Sequence, residues 1–216
     1  MESVRSPETS VTNRRSETAV TEIRIAGFGG QGVILAGMII GRAASIYDDK
    51  HVTLTQSFGP EARGSACSVQ LIVSPEPILY PYLTHPDILV VMSQEAYTRF
   101  APQLKPGGIL IAEQELVHID KMPGGIRVYG VPATRLAEEL GRKVVLNIVM
   151  VGFFGAVTNL LDPDALRKAV ADSVPPAMQK LNLQAFDKGF EYGTTLIHTL
   201  AEKGEVGEPV SLEAES

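Results

Sequence analysis

Glu22-Ile23-Arg24-Ile25-Ala26-Gly27-Phe28-Gly29-Gly30-Gln31-Gly32-Val33 is the stretch on which the reading of this chain turns. A short apolar-leaning run, Glu22 to Ala26, ends in glycines. Val33 to Ile46 then carries apolar and small residues with no breaker other than Gly37 and Gly41. Strand, tight turn and helix is the parse this order favours. In that context the G-x-G-x-x-G spacing of Gly27, Gly29 and Gly32 has physical content. The first glycine permits a tight turn, the second lets a phosphate approach the backbone, and the third allows the helix to pack closely on the strand. Unpaired N–H groups at the helix start then favour an anion. The same glycines would also serve strand-to-helix packing with no ligand, and their spacing does not separate the two.

Working outward, His51 to Thr55 and Ala66 to Val73 are rich in β-branched residues and read as strands on either side of a loop, Gln56 to Ser65, that contains Gly and Pro. Asp87 to Met92 and Ile109 to Ala112 are near-continuous apolar runs, as in strands covered on both faces, with the helix-like Gln94 to Gln103 between them. That is a βαβ unit. Pro106, Gly107 and Gly108 mark the turn into its second strand, and Ile126 to Tyr129 is a further strand before a helix from Ala133 to Leu140. From Val144 to Ala201 the pattern is helical: Asn147 to Leu160, a helix after Asp162 with Pro163 in its first turn, and a third from Gln179 onward. The expected fold is α/β, a single Rossmann-like open sheet, mostly parallel, with helices on both faces and a C-terminal helical segment. Residues 22–203 form one domain of this kind. Residues 1–21 and 204–216 hold too little apolar surface to offset the entropy of ordering and read as disordered tails.

Composition narrows the function classes. A net charge of −6, with no cluster of Lys and Arg, excludes a nucleic-acid footprint. The 44% hydrophobic content against 20% charged leans apolar and suits a subunit covered by partners. Cys67 is the single cysteine, so the chain forms no internal disulfide and holds no iron–sulfur cluster on its own thiolates. Lying within a strand, it reads as a small apolar residue. No apolar run approaches the roughly 20 residues that cross a bilayer, and the polar N-terminus lacks a secretory core, so a cytoplasmic location away from membranes is expected. His51, His85, His118 and His198 are scattered without metal-ligand spacing. Neither Ser57 nor Ser65 sits in a nucleophile-elbow pattern. Asn147, inside an apolar helix, needs a hydrogen-bond partner if buried, and Glu138 with Glu139 read as a solvated helix face.

An NAD site would carry an acidic residue at the end of the second strand. Thr53-Leu54-Thr55-Gln56-Ser57 stands there instead, and Asp48 and Asp49 precede that strand, so a different phosphate ligand fits better. The loop Ser57-Phe58-Gly59-Pro60-Glu61-Ala62-Arg63-Gly64 leaves the C-terminal end of the second strand, the edge at which open α/β sheets bind ligands. Arg63 suits a phosphate or carboxylate, Glu61 could hold it, and Gly59 and Gly64 admit a neighbouring backbone. A surface loop with an exposed Glu–Arg pair accounts for the same residues.

Taken together, Gly27 to Val33 with Ala36-Gly37, Ser57 to Gly64, and Pro86-Asp87 opening an apolar strand resemble the gamma subunit, or gamma domain, of the 2-oxoacid:ferredoxin oxidoreductases that act on pyruvate, 2-oxoglutarate or ketoisovalerate. The resemblance continues through Val131-Pro132-Ala133-Thr134, Ala137 to Gly141, Asn147, and Asn182 to Phe186 with Gly189, covering about Ile23 to Gly193. It departs at Phe58, where Tyr is more usual, and at Ser65, where Gly is. It implies a complex that converts a 2-oxoacid, coenzyme A and oxidised ferredoxin to acyl-CoA, carbon dioxide and reduced ferredoxin, with 2-oxoglutarate favoured by the stand-alone gamma arrangement. Thiamine diphosphate with Mg and the iron–sulfur clusters would sit on partner subunits of alpha, beta and delta type. This chain would supply no catalytic residue and no metal ligand. Coenzyme A would be held by Gly27, Gly29, Gly30, Gln31 and Gly32, with Ser57, Gly59, Pro60, Glu61, Arg63 and Gly64. Two other readings stay open: a free-standing nucleotide- or flavin-binding oxidoreductase, and a purely structural assembly subunit.

Overall fold

The computed structural model describes residues 20–58, 66–119, 122 and 124–204. The terminal segments 1–19 and 205–216, read above as parts of tails, lie outside them. The chain runs β1 (Thr21–Phe28), α1 (Val33–Arg42, continued by one wide turn, Ala43–Tyr47), β2 (His51–Phe58), β3 (Ala66–Ser74), β4 (Ile88–Val91), α2 (Gln94–Phe100) and β5 (Ile109–Glu113). It continues through β6 (Arg127–Val131), α3 (Ala133–Glu139), α4 (Leu146–Thr158), α5 (Pro163–Ser173) and α6 (Pro176–Glu202). The six strands form one sheet in the order β2-β3-β1-β4-β5-β6. The pairs β1–β4, β4–β5 and β5–β6 are parallel, whereas β3 is antiparallel to both of its neighbours. The expected α/β open sheet, mostly parallel, is therefore present, with one reversed strand.

The reversed strand arises from a hairpin. β2 extends to Phe58 rather than stopping at Thr55, because Gln56, Ser57 and Phe58 continue the ladder against Val69, Ser68 and Cys67. Gln56 and Ser57 are polar and exposed on an outer strand, so composition hid the strand's last residues inside the expected loop. The backbone ladder, not the side chains, decides such an edge.

Residues facing each other across the sheet show how its two sides are finished. On one side Leu54, Leu71, Ile23, Ile88 and Ile109 follow one another from β2 to β5. The main core lies on this side, with α1, α3, α4, α5 and α6 over it. On the other side, Leu89, Val91, Leu110, Ala112 and Val128 pack with Ala96, Tyr97 and Phe100 of α2. Among the described residues, helices thus lie on both faces, one short helix against five.

Local signals place these helices. Ser93 Oγ accepts from Ala96 N at 3.2 Å and caps α2, with Glu95 in the first turn. Asp162 caps α5 by accepting from Asp164 N at 2.6 Å, and Pro163 occupies the first turn as expected. α6 begins at Pro176, three residues before the expected Gln179, because a proline with preset φ needs no N–H partner in a first turn.

α4 is buried at every residue except Ala156, so it can only sit between other elements. Its deepest contact is with α6, where two glycines face two backbones. A Cβ on Gly152 would run into the carbonyl of Phe186, and one on Gly189 into the carbonyl of Val149. Neither clash can be relieved by rotating a side chain. Gly152→Ala or Gly189→Ala is therefore expected to destabilise the chain by about 3 kcal/mol, at the upper end of overpacking costs, as read by urea unfolding. Gly124→Ala, at an exposed position where a Cβ would meet nothing within 4 Å, is the control for a loss of glycine alone.

Candidate functional site

β1, β4, β5 and β6 are mutually parallel, so their C-terminal ends share one edge of the sheet. From β1 the chain passes to α1 on the main-core side, and from the adjacent β4 it passes to α2 on the opposite side. The edge between β1 and β4 is therefore the topological switch point, where open sheets present a crevice to ligands.

The glycine turn stands at this crevice. Gly27 is the penultimate residue of β1, paired with Cys67, so the strand runs further into the motif than Ala26. Gly29 and Gly30 are exposed, and Gly30 has φ 101° with no atom within 4 Å of a Cβ placed on it. Gly32 caps α1 in the left-handed region, at φ 75°, where L side chains are strained. No side chain caps α1 and no acidic residue lies in its first turn, so its leading N–H groups keep the partial positive charge that attracts anions.

Gln31 folds back into the protein. Its Oε1 accepts from Phe28 N at 2.7 Å and its Nε2 donates to Met92 O at 2.7 Å, while its own N–H donates to Phe28 O at 3.1 Å. One side chain thus joins the end of β1 to the residue after β4 and forms the floor of the crevice. A Cβ on Gly27 would stand 2.6 Å from Gln31 Oε1, which makes Gly27 the partner of that amide. From below, Asn147 Nδ2 donates to Gly32 O at 3.3 Å, so the buried Asn147 finds its partner at the turn. A Cβ on Gly32 would meet the Asn147 amide at 2.5 Å.

Glu113, at the end of β5, is a site residue that sequence reasoning passed over. It is fully buried and accepts from Glu115 N at 3.0 Å, Leu116 N at 2.6 Å and Thr134 N at 3.0 Å. Its carboxylate caps the start of α3 and the turn after β5 together. The signal was available in a lone acid ending an apolar strand.

Ser57 lies in β2, exposed and opposite Ser68, not in the loop to which its neighbours assign it. The expected site residues Gly59, Pro60, Glu61, Arg63 and Gly64 fall outside the described residues. The ends of the strands that flank this segment are described: Phe58 stands two strands from β1, about 10 Å at ordinary strand spacing, whereas Ala66 is one strand away and pairs with Phe28. The strand beside β1 is thus β3, which reaches this edge with its first residue, Ala66. The position from which a ribose-binding acid would reach belongs to a strand start, and the test applied above to the end of β2 concerned a strand one place further out. Burial pushes the Cys67 thiol above its ordinary range, in keeping with a packed rather than reactive cysteine. Glu138 and Glu139 are exposed and pair with Lys143 and Lys188. No group of three or more metal-binding side chains occurs among the described residues, and none of their helices is long and apolar enough to cross a membrane.

A Rossmann-like open-sheet domain with a glycine turn at its switch point is the class that this arrangement defines. Within it, the chain belongs to the pyruvate ferredoxin/flavodoxin oxidoreductase family, which residues 22–192 match. It is 46% identical over 186 residues to the 2-oxoglutarate synthase subunit KorC of Methanocaldococcus jannaschii, a match covering 85% of this chain and all of that one. Its fold is shared by the gamma subunit of a keto/oxoacid ferredoxin oxidoreductase from Geobacter sulfurreducens, with 39% identity and a TM-score of 0.74 over 82% of this chain and 98% of that one. The 2-oxoglutarate:ferredoxin oxidoreductase of Magnetococcus marinus, solved with 2-oxoglutarate, coenzyme A and succinyl-CoA, matches 82% of this chain at 25% identity and a TM-score of 0.71, but only 31% of its own chain takes part. The chain is thus a gamma-type subunit of a 2-oxoacid:ferredoxin oxidoreductase.

The floor of the crevice yields a direct test. Gln31→Met keeps the side-chain length but leaves Phe28 N and Met92 O without partners, so a loss of about 2 kcal/mol is expected from two missing hydrogen bonds. Urea unfolding measures it, and a loss below about 0.5 kcal/mol would mean that the turn holds its shape without this amide.

Proposed function

We propose that this chain contributes coenzyme A binding and subunit contacts to a thiamine-dependent 2-oxoacid:ferredoxin oxidoreductase, with 2-oxoglutarate as the 2-oxoacid. The observation that carries the reading is the uncapped start of α1 beside the exposed Gly29 and Gly30, at the switch point of the sheet. This arrangement fits the phosphate groups of coenzyme A: backbone N–H donors are free of side-chain caps, no carboxylate stands in the first turn, and the left-handed glycines leave the approach open. Support for the ligand comes from the Magnetococcus marinus relative solved with coenzyme A, and for the substrate from the 2-oxoglutarate synthase subunit of Methanocaldococcus jannaschii.

In this reading, Gly29, Gly30 and Gly32 offer backbone to the phosphates. Gln31 and Gly27 keep the turn in shape, and Ser57, Gly59, Pro60, Glu61, Arg63 and Gly64 are assigned the remaining contacts to coenzyme A. Arg63 supplies the cation for a phosphate there. Thiamine diphosphate with Mg and the iron–sulfur clusters belong to alpha, beta and delta companions, where they supply decarboxylation and electron transfer to ferredoxin. The turn's part is positional. It anchors coenzyme A away from its thiol, so that the sulfur is presented to the acyl group at the companion's centre while the acyl-CoA product keeps the same hold.

Gly29→Asp places a carboxylate on the exposed turn where phosphate would bind. In the assembled complex the KM for coenzyme A should rise about tenfold, the scale of a partly buried charge at a helix start. The KM for the 2-oxoacid and kcat at saturating coenzyme A should hold. An unaltered KM for coenzyme A would favour the assembly role instead.

A further inference from the structure

The connection from β3 to β4 crosses the edge of the sheet opposite the glycine turn. β3 is antiparallel to β1 and β4 is parallel to it, so the end of β3 and the start of β4 both lie beside the first residues of β1. The two feet of this connection are tied down. Ser74, 2% exposed, accepts from Glu76 N at 3.0 Å. Asp87 N donates to Glu22 O at 2.7 Å, while the Asp87 carboxylate accepts from Glu22 N at 2.8 Å and pairs with Lys105 at 3.1 Å. Between the feet Leu83 is buried, and Pro75, Pro77, Pro81 and Pro86 fix φ along the path.

This anchored loop holds its large apolar side chains away from the protein. Leu79 is 96% exposed, Tyr80 66% and Tyr82 62%. Other exposed apolar residues, such as Met38 and Val144, stand singly along the chain, which is ordinary. These three stand together. The rings of Tyr80 and Tyr82 meet edge-on with centres 5.4 Å apart, outside both core clusters. Neither hydroxyl has a hydrogen-bond partner among the described residues. From Pro75 to Pro86 the sequence carries one carboxylate, Glu76, and no Lys or Arg. Aromatic and aliphatic side chains grouped with charge withheld are the composition of an interface centre rather than of a solvated loop. Because the prolines already restrict the backbone, docking needs little further ordering.

We propose that residues 77–83 form a knob that seats Leu79, Tyr80 and Tyr82 in a concave apolar receiver on a companion subunit of the complex, with hydrogen-bond acceptors at its rim for the two phenol groups. The occupant is argued from architecture and from area. In the Magnetococcus marinus relative this domain takes up 31% of a longer chain, so the rest of that polypeptide is tethered to it, whereas the Methanocaldococcus jannaschii subunit is matched along its whole length. A subunit of the second kind meets its neighbours through surface alone. Leu79, Tyr80 and Tyr82 together offer on the order of 400 Å². Two such loops meeting head to head would bury about 800 Å² in all, the scale of a lattice contact and short of the roughly 1,200 Å² of a stable pair. A concave receiver covers the loop on both flanks and adds its own walls, which makes a companion the better occupant than a second copy of this chain. Seated there, the companion grips the chain at the start of β1, roughly 25 Å from the glycine turn at about 3.3 Å per strand residue, and leaves the crevice open. The inference rests on the chain being a subunit of the complex and not on its coenzyme A role.

The experiment reads the Kd of the full chain for its co-expressed companion subunits from a dilution series of the complex, beside thermal unfolding and sedimentation of the chain alone. Leu79→Asp changes a side chain that touches almost nothing of its own protein, so the lone chain should melt at the same temperature while Kd rises at least tenfold. Tyr80→Phe with Tyr82→Phe removes only the hydroxyls and should raise Kd about threefold. In complex assembled at high concentration, the KM for coenzyme A should hold in both variants, which separates this contact from the glycine turn. An unchanged Kd in Leu79→Asp overturns the proposal. So does a dimer of the lone chain that Leu79→Asp abolishes, because the loop would then serve a second copy. If the unsubstituted chain fails to assemble while folded, the subunit reading falls and this inference falls with it.

Discussion

The backbone-to-backbone approach of α4 and α6 is the contact on which the rest of the architecture depends. Gly152 and Gly189 each face a carbonyl of the opposite helix, so the two axes come closer than side chains would allow. This closeness lets α4 be buried at every residue but Ala156, between α6 and the main core. It also sets the depth at which α4 begins. Asn147, in the first turn of α4, reaches Gly32 O at 3.3 Å only because the helix sits that low. A packing constraint between two C-terminal helices is thereby transmitted to the glycine turn more than a hundred residues earlier in the chain.

At the other side of the turn the constraint is polar. A parallel pair followed by helices on opposite faces opens a crevice at its C-terminal edge as a consequence of connectivity. Gln31 spans the base of that crevice with two bonds of 2.7 Å, and Gly27 is glycine because the amide occupies the place of a side chain. Held from below by Asn147 and from the side by Gln31, the turn presents main-chain N–H groups with little freedom to rearrange. Such preorganisation matters for a site that offers dipoles rather than full charges, because weak donors bind an anion well only when they need no reordering.

The elements of this fold were legible where one physical signal dominated. The strand–turn–helix at Glu22 to Ile46, the apolar strands β4 and β5, and the Pro163 helix start each follow from period or cap chemistry. What escaped was set by partners distant in sequence. The last residues of β2 look like loop because Gln56 and Ser57 are polar, and only their ladder against β3 makes them strand. The reversal of β3 is invisible in a run of β-branched residues that would serve either direction. At the site, the glycine spacing identified the turn and Asn147 was recognised as needing a partner. The bond from Gln31 to Met92 O and that from Thr134 N to Glu113 depend on which strand ends meet at one edge, and no local pattern encodes that.

The two sides of the sheet also bear on why a domain of this kind works inside a larger assembly. The side under α1, α3, α4, α5 and α6 contains the large fully buried residues Phe153, Phe154 and Phe186. It supplies the apolar burial that stabilises the chain by itself. On the α2 side an apolar cluster covers β4–β6, and Arg24, Ser68, Ile72 and Ser74 beyond it are buried as well. The glycine turn is anchored from the main core through Asn147, whose Nδ2 donates to Gly32 O.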